Sequence, residues 1–250
     1  MTLRTAAQKA VAAGRLFGAI ARAFAAIVPA VLGRSRAARR AWIERLRPVW
    51  LEVVRPFDKG LESAFEAPLP LESRHVTNCR VLPDREALAR EVLKKDAVAA
   101  ELGTLRGRFA RTLLDASEPR ELHLIDIDMR RLERDLLAPG FESGRVIAHE
   151  GDSVAILSSF PDAYFDWIYI DADHSYAGVK RDIAVAKQKV KPDGMLVFND
   201  YTVWSPLELE EYGVVRAVNE LCRDDGWELR YLALQRFMYC DVAVSRIQTQ

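Results

Sequence analysis

At 250 residues, half of them hydrophobic, the chain can hold one sizeable globular domain and an extension. Its 36 basic and 36 acidic residues cancel, but unevenly: through Arg47 ten Lys or Arg face one acid, Glu44, a net of +9, which leaves 26 against 35, or −9, for the rest. Three widely spaced cysteines, Cys79, Cys222 and Cys240, without a CxxC pair, exclude a disulfide frame and a zinc site. They read as buried small hydrophobes in a protein of a reducing, cytoplasmic compartment.

The first 33 residues are Ala-rich and helical in pattern until Pro29. A helical wheel puts Leu16, Phe17, Ile20, Phe24, Ile27 and Val28 on one face and Arg4, Arg15 and Arg22 on the other. The uncharged run between Arg22 and Arg34 is too short for the roughly 20 residues of a spanning helix. Arg15, Arg22 and "SRAARR" argue against a secretory signal, while an Arg-rich, acid-poor start also suits an organellar transit peptide. Two readings of the helix stand open: a cap on the main domain or on a second copy, giving a homodimer, or a helix lying on an anionic membrane surface through residues 1–40. Helical pattern continues from Ala41 to about Phe65, and "EAPLPLES" reads as a linker. The expected organisation is therefore an extension over 1–70 and a domain over 71–250.

Beyond residue 80 short apolar runs alternate with helical ones. "DREALAREVLKK" is a helix with an acidic first turn and a basic last one. Strands are expected at 97–103, 121–127, 145–151, 165–171 and 194–200, with helices near 107–115, 129–138, 152–159 and 176–190. This alternation predicts an α/β fold, a Rossmann-like doubly wound and mostly parallel sheet covered on both faces. After the helical "EYGVVRAVNELCRDDG", the stretches "WELRYLAL" and "MYCDVAVSRI" predict a C-terminal antiparallel hairpin.

Open parallel sheets bind ligands beyond the carboxyl ends of their strands, and these strands end in polar residues. "DWIYIDADHSY" ends an apolar strand in Asp171, Asp173 and His174. The first strand runs into "AELGTLRGRFA", where Gly103 and Gly107 allow a tight turn and close approach of a ligand. The second ends at Asp126, placed to accept ribose hydroxyls, and the third leads into "EGDS", where Asp152 and Ser153 face a base edge. His75, His123 and His149 have no partner at ligand spacing.

These motifs resemble the class I S-adenosylmethionine-dependent methyltransferases, in the branch of macrocin-type sugar O-methyltransferases, over roughly residues 80–246. "AELGTLRGRFA" looks like the family's first motif in an E-x-G-x-x-x-G form; "LIDID", "EGDS", "YIDADHSYAGVKRDI" and "GMLVFNDY" look like those that come after it. The resemblance implies S-adenosylmethionine as cofactor, with Glu101, Gly103 and Gly107 around its methionine end, Asp126 at the ribose, and Asp152 with Ser153 at the adenine. It further implies His174 as base beside Asp171 in methyl transfer to a hydroxyl of a small or glycosidic acceptor. Asp171, Asn199 and Asp200 would be a donor set for Mg²⁺, although relatives carry Asp-Asp or Asp-Asn where this chain has Asn199-Asp200.

Two other functions fit the same pattern. A nicotinamide-dependent oxidoreductase would share the sheet, but the G-x-G turn is missing. A non-catalytic module that binds S-adenosylmethionine and docks through its basic N-terminus would not need Asp171 and His174. The acidic balance of the main domain, without aromatic-basic interleaving, argues against a nucleic-acid substrate.

Overall fold

In the computed structural model the described residues are 69–248, apart from 206 and 209, together with helical positions scattered between 37 and 48. The chain divides into two compact units, Met1–Glu66 and Ala67–Gln250. The amphipathic stretch expected at 16–28 lies outside the described residues, and the fold and the crevice both belong to the second unit. Among the described residues no helix is long and apolar enough to cross a membrane.

The strands are β1 (Arg80–Leu82), β2 (Val98–Leu102), β3 (Glu121–Asp126), β4 (Val146–Glu150), β5 (Phe165–Ile170), β6 (Val190–Phe198), β7 (Trp204–Ser205), β8 (Glu210–Glu211), β9 (Trp227–Leu234) and β10 (Cys240–Arg246). Eight form one sheet in the order β1-β9-β10-β6-β5-β2-β3-β4, and β7 with β8 makes a two-stranded ribbon. Parallel pairing joins β2 to β3 and β5, β3 to β4, and β5 to β6. The hairpin β9–β10 is antiparallel and adds to β6, as expected.

Alternation along each strand feeds two cores. From β2 and β5, Val98, Ala100, Leu102, Ile168 and Ile170 point to one face, where Leu157, Val179, Ile183, Val218 and Leu221 cover them. Those residues come from helices α4 (Ser153–Ser158), α5 (Tyr176–Lys189) and α6 (Val214–Asp225). Ala99, Trp167 and Tyr169 point the other way, under Leu88, Leu113, Leu114 and Leu137. There the covering helices include α1 (Arg85–Glu91) and α2 (Arg108–Ser117), with α3 (Ala138–Glu142) coming directly after Leu137. All six residues of β5 are buried, which is why it reads as an apolar run broken only at Asp166, whose carboxylate is held by Lys94, Lys191 and the Val98 amide. Each fully buried Leu or Ile in these layers contributes ~1.5–3 kcal/mol.

Three local expectations need correction. The helix expected at 129–138 is two 3-10 turns, Met129–Arg131 and Arg134–Leu137, followed by α3. Asp128 turns its carboxylate onto the Arg130 amide, a local bond that competes with a continuous helix. Strand β6 begins at Val190, four residues early, but its ladder with β5 passes from Val190 to Met195, so "KPDG" bulges out of register. Pro192 sits where the β10 ladder, which covers Leu196–Phe198, does not reach. The three-residue edge strand β1, parallel to β9, was not expected.

The chain winds outward through β2, β3 and β4, then returns to place β5 on the other side of β2. That reversal is a topological switch point, where the loops after neighbouring strands part and leave a crevice.

Candidate active site

The crevice is built from the ends of β2 and β5. Gly103 follows β2 with φ +83, and a Cβ there would lie 1.9 Å from the Asp171 carbonyl oxygen, so no other residue fits. The Gly103 amide donates to Ile125 and the Asp171 amide to Leu102, which ties three strand ends together. Gly107, at φ +76, caps α2 and is buried against Leu132 and Leu137.

A cavity of about 880 Å³ runs along these strand ends, lined among others by Glu101, Gly103, Asp126, Asp152, Asp171 and His174. Gly107 is outside this lining, and Asn199 borders a second cavity instead. On the β3–β4 side every predicted group is already held. Asp126 accepts the Leu105 amide at 2.7 Å and the Asp128 amide at 2.9 Å, one on each oxygen, and so fixes the turn after Gly103. Asp152 is the N-cap of α4, accepting the Ala155 amide at 3.0 Å and Arg181 at 3.0 Å, bonds that hold its carboxyl below the usual range. The Ser153 hydroxyl donates to Asp182 at 2.5 Å. Each oxygen keeps lone pairs for a ligand.

The β5–β6 side is the opposite. Glu101 is 1% exposed, its Oε2 has no hydrogen-bond partner among the described residues, and burial lifts its carboxyl to about 8. Asp171 is raised well above the carboxylate range by burial and by the neighbouring Glu101, Asp200 and Asp241. Burial and Asp241 lift Asp200 to about 7. Asp200 also holds φ +53, a strained setting for a non-glycine residue at the head of a crevice.

His174 lies among these acids. Its Nε2 is 3.5 Å from Asp171 Oδ1 and 3.9 Å from Asp200 Oδ2, and among the described residues it has no hydrogen-bond partner. The ring stacks on Tyr212 at 4.5 Å and 10°, and Tyr212 donates its hydroxyl to Glu208 at 2.5 Å. Burial pulls the imidazole below its ordinary value, so it is neutral near pH 7 with a nitrogen able to take a proton. Asp173, which the sequence placed beside His174, instead caps the turn by accepting the Ser175 amide, and its carboxyl fills the space over Gly178.

Nothing among the described residues supports the expected Mg²⁺ set. Asn199 is 4% exposed, and its amide donates to Asp241 at 3.0 Å and Tyr169 at 3.3 Å inside a buried network. His174 Nε2 stands beside both Asp171 and Asp200, and among the described residues no group of three or more His, Cys, Asp or Glu is arranged to hold a metal ion. An organic cation suits the donors better: a buried, unpartnered Glu101 oxygen at the strand end is a place for an ammonium group.

Sequence reasoning missed two residues here. Arg85 opens α1, although a cation at a helix N-terminus opposes the dipole, and that is the signal that marks it. Asp241 is a fully buried acid near the start of β10. Tyr212, which stacks on His174, comes from the loop between β8 and α6. The histidines also differ from expectation: His123 and His149 are not isolated but pair across β3 and β4, Nδ1 to Nε2 at 3.0 Å.

A family model described as a methyltransferase domain matches residues 100–201, from within β2 to just past β6. No curated protein matches the chain. Among solved structures it is similar to cofactor-bound Rv0187 from MTB, at 16% identity and TM-score 0.53, over 66% of this chain and 78% of that one. An O-methyltransferase family protein from Burkholderia thailandensis gives 16% and 0.52, over 66% and 56%. The pyocyanin biosynthetic protein PhzM gives 17% and 0.50, over 65% and 54%, so the chain spans little more than half of these last two. At such identities the likeness is one of fold. The glycine turn, the strand-end acids and the matched segment all fall on one crevice, and residues 100–201 match a methyltransferase domain on this Rossmann-like sheet.

Proposed function

We propose that the enzyme methylates a hydroxyl oxygen of a small-molecule or glycosidic acceptor, with His174 as the general base. The observation that carries this is the His174 nitrogen: buried, unpartnered among the described residues, neutral, and on a residue that lines the first cavity. The second cavity, about 980 Å³, shares Arg85, Asp200, Glu208 and Tyr212 with the first and extends to Leu207, Phe237 and Tyr239. It is the place for the acceptor.

When bound, S-adenosylmethionine supplies a methyl group on a sulfonium that an oxygen displaces in line. The chain's own part is alignment and proton transfer. His174 Nε2 takes the hydroxyl proton, and Asp171 and Asp200 stand at 3.5 and 3.9 Å to stabilise the imidazolium that forms. Tyr212 holds the ring plane by stacking. Residues 1–40 belong to this reading as a cap on the main domain or on a second copy, or as a docking element for a membrane surface; flotation of the full chain on anionic liposomes, compared with a chain starting near residue 70, tests the membrane reading, which equal binding by both would sink.

The test is His174→Ala. Turnover should fall roughly 10²–10⁴-fold while S-adenosylmethionine affinity stays within about twofold. An unchanged rate removes His174 from the chemistry.

A further inference from the structure

We propose that Arg85 binds the α-carboxylate of S-adenosylmethionine and thereby selects the amino-acid end of the cofactor. The inference rests on the cofactor assignment and extends it to a residue that lies outside the matched segment.

The methionine end is a zwitterion, so its site must hold an ammonium and a carboxylate side by side. The crevice end beyond Gly103 is rich in acid: Glu101 from β2, Asp171 after β5, Asp200 after β6 and Asp241 from β10. An ammonium is easily placed there, on the unpartnered Glu101 oxygen. A carboxylate among four carboxyls is not, unless a cation faces it. Arg85 is that cation, acting on Glu101, Asp171, Asp200 and Asp241 alike.

Its setting is that of a binding group. The guanidinium carbon stands 4.0 Å from the centroid of the Phe109 ring, and Phe109 packs at a 45° tilt against Tyr169 with centroids 4.7 Å apart. Among the described residues no carboxylate comes within ion-pair distance of the guanidinium. Contact with the ring holds the fork and leaves it donors for a bidentate contact, the geometry in which Arg recognises carboxylates. Arg85 lines the first cavity with Glu101, Gly103, Thr104 and Asp171, and it also lines the second, so it stands where cofactor and acceptor meet. Sheet order supports the direction: adenine and ribose groups follow β4 and β3, the glycine turn follows β2, and Arg85 approaches on α1, which packs against β9 beyond β5 and β6.

Isothermal titration of the full chain and of Arg85→Met with S-adenosylmethionine and with decarboxylated S-adenosylmethionine tests this without any acceptor. The natural chain should bind S-adenosylmethionine roughly 10- to 100-fold more tightly than the decarboxylated form. In Arg85→Met that preference should vanish, with S-adenosylmethionine weakened by the same factor and the decarboxylated form changed by less than about twofold. Retained affinity for the decarboxylated form also shows that the variant is folded. Equal weakening of both ligands, or an intact preference, overturns the assignment and leaves Arg85 a counter-ion of the acid cluster. Failure of the natural chain to bind either ligand would instead strike the cofactor assignment itself.

Discussion

The two sides of the crevice treat their acids differently. Beyond β3 and β4, Asp126 and Asp152 accept two hydrogen bonds each from the protein, and Ser153 is bonded to Asp182. Beyond β2, β5 and β6, Glu101, Thr104 and His174 each leave a buried polar atom without a partner among the described residues, and Glu101, Asp171 and Asp200 are raised chiefly by burial, Asp171 also by the other two. The first side is a pre-set frame for a neutral ligand edge. The second is a frustrated cluster, stable only as a protonated or cation-bound state, which suits an ammonium, a sulfonium and a departing proton. Folding supplies the hydrogen bonds on one side, and the ligand must supply them on the other.

Predictions that break or sharpen this contrast run from large to small. His174→Ala, on the unsatisfied side, should lower kcat by roughly 10²–10⁴ without loss of stability. In the natural chain, kcat should fall as the pH drops below the His174 pKa, which lies under the ordinary 6.5, because the protonated ring cannot accept the hydroxyl proton. Gly103→Ala should cost roughly 2–5 kcal/mol by denaturant unfolding, since it combines a φ of +83 with a clash on the Asp171 backbone. Asp152→Ala, on the satisfied side, should cost about 1 kcal/mol through the lost helix cap, so the frame loses stability along with affinity. Chelation of divalent ions should change turnover by less than about twofold, because His174 Nε2 already stands beside both Asp171 and Asp200.

The satisfied side and the central sheet were legible because their signals are local. An apolar run such as Phe165–Ile170, a glycine turn, an Asp at a strand end and a cap before a helix can each be read within a few residues. The strand β1 could not be read that way: three residues with an exposed Arg and Val gain their place only by pairing with β9, far along the chain. The same holds for the frustrated cluster. Glu101, Asp171 and His174 announce themselves at strand ends, but Arg85, Asp241 and Tyr212 reach them from a helix, a late strand and a loop. Asn199 shows the converse: its place after β6 suggested a ligand, while its amide is turned into a buried network that the sequence does not display.

The most direct test of the contrast is the proton balance of cofactor binding. Glu101 at about 8 is protonated at pH 7, and an ammonium beside it favours the ionised form. Titration with S-adenosylmethionine at pH 7 in buffers of different ionisation enthalpy should therefore show release approaching roughly one proton, fading above pH 8 as Glu101 ionises on its own. Binding with heats independent of the buffer would contradict a frustrated acid cluster at the methionine end, and no binding would contradict the cofactor itself.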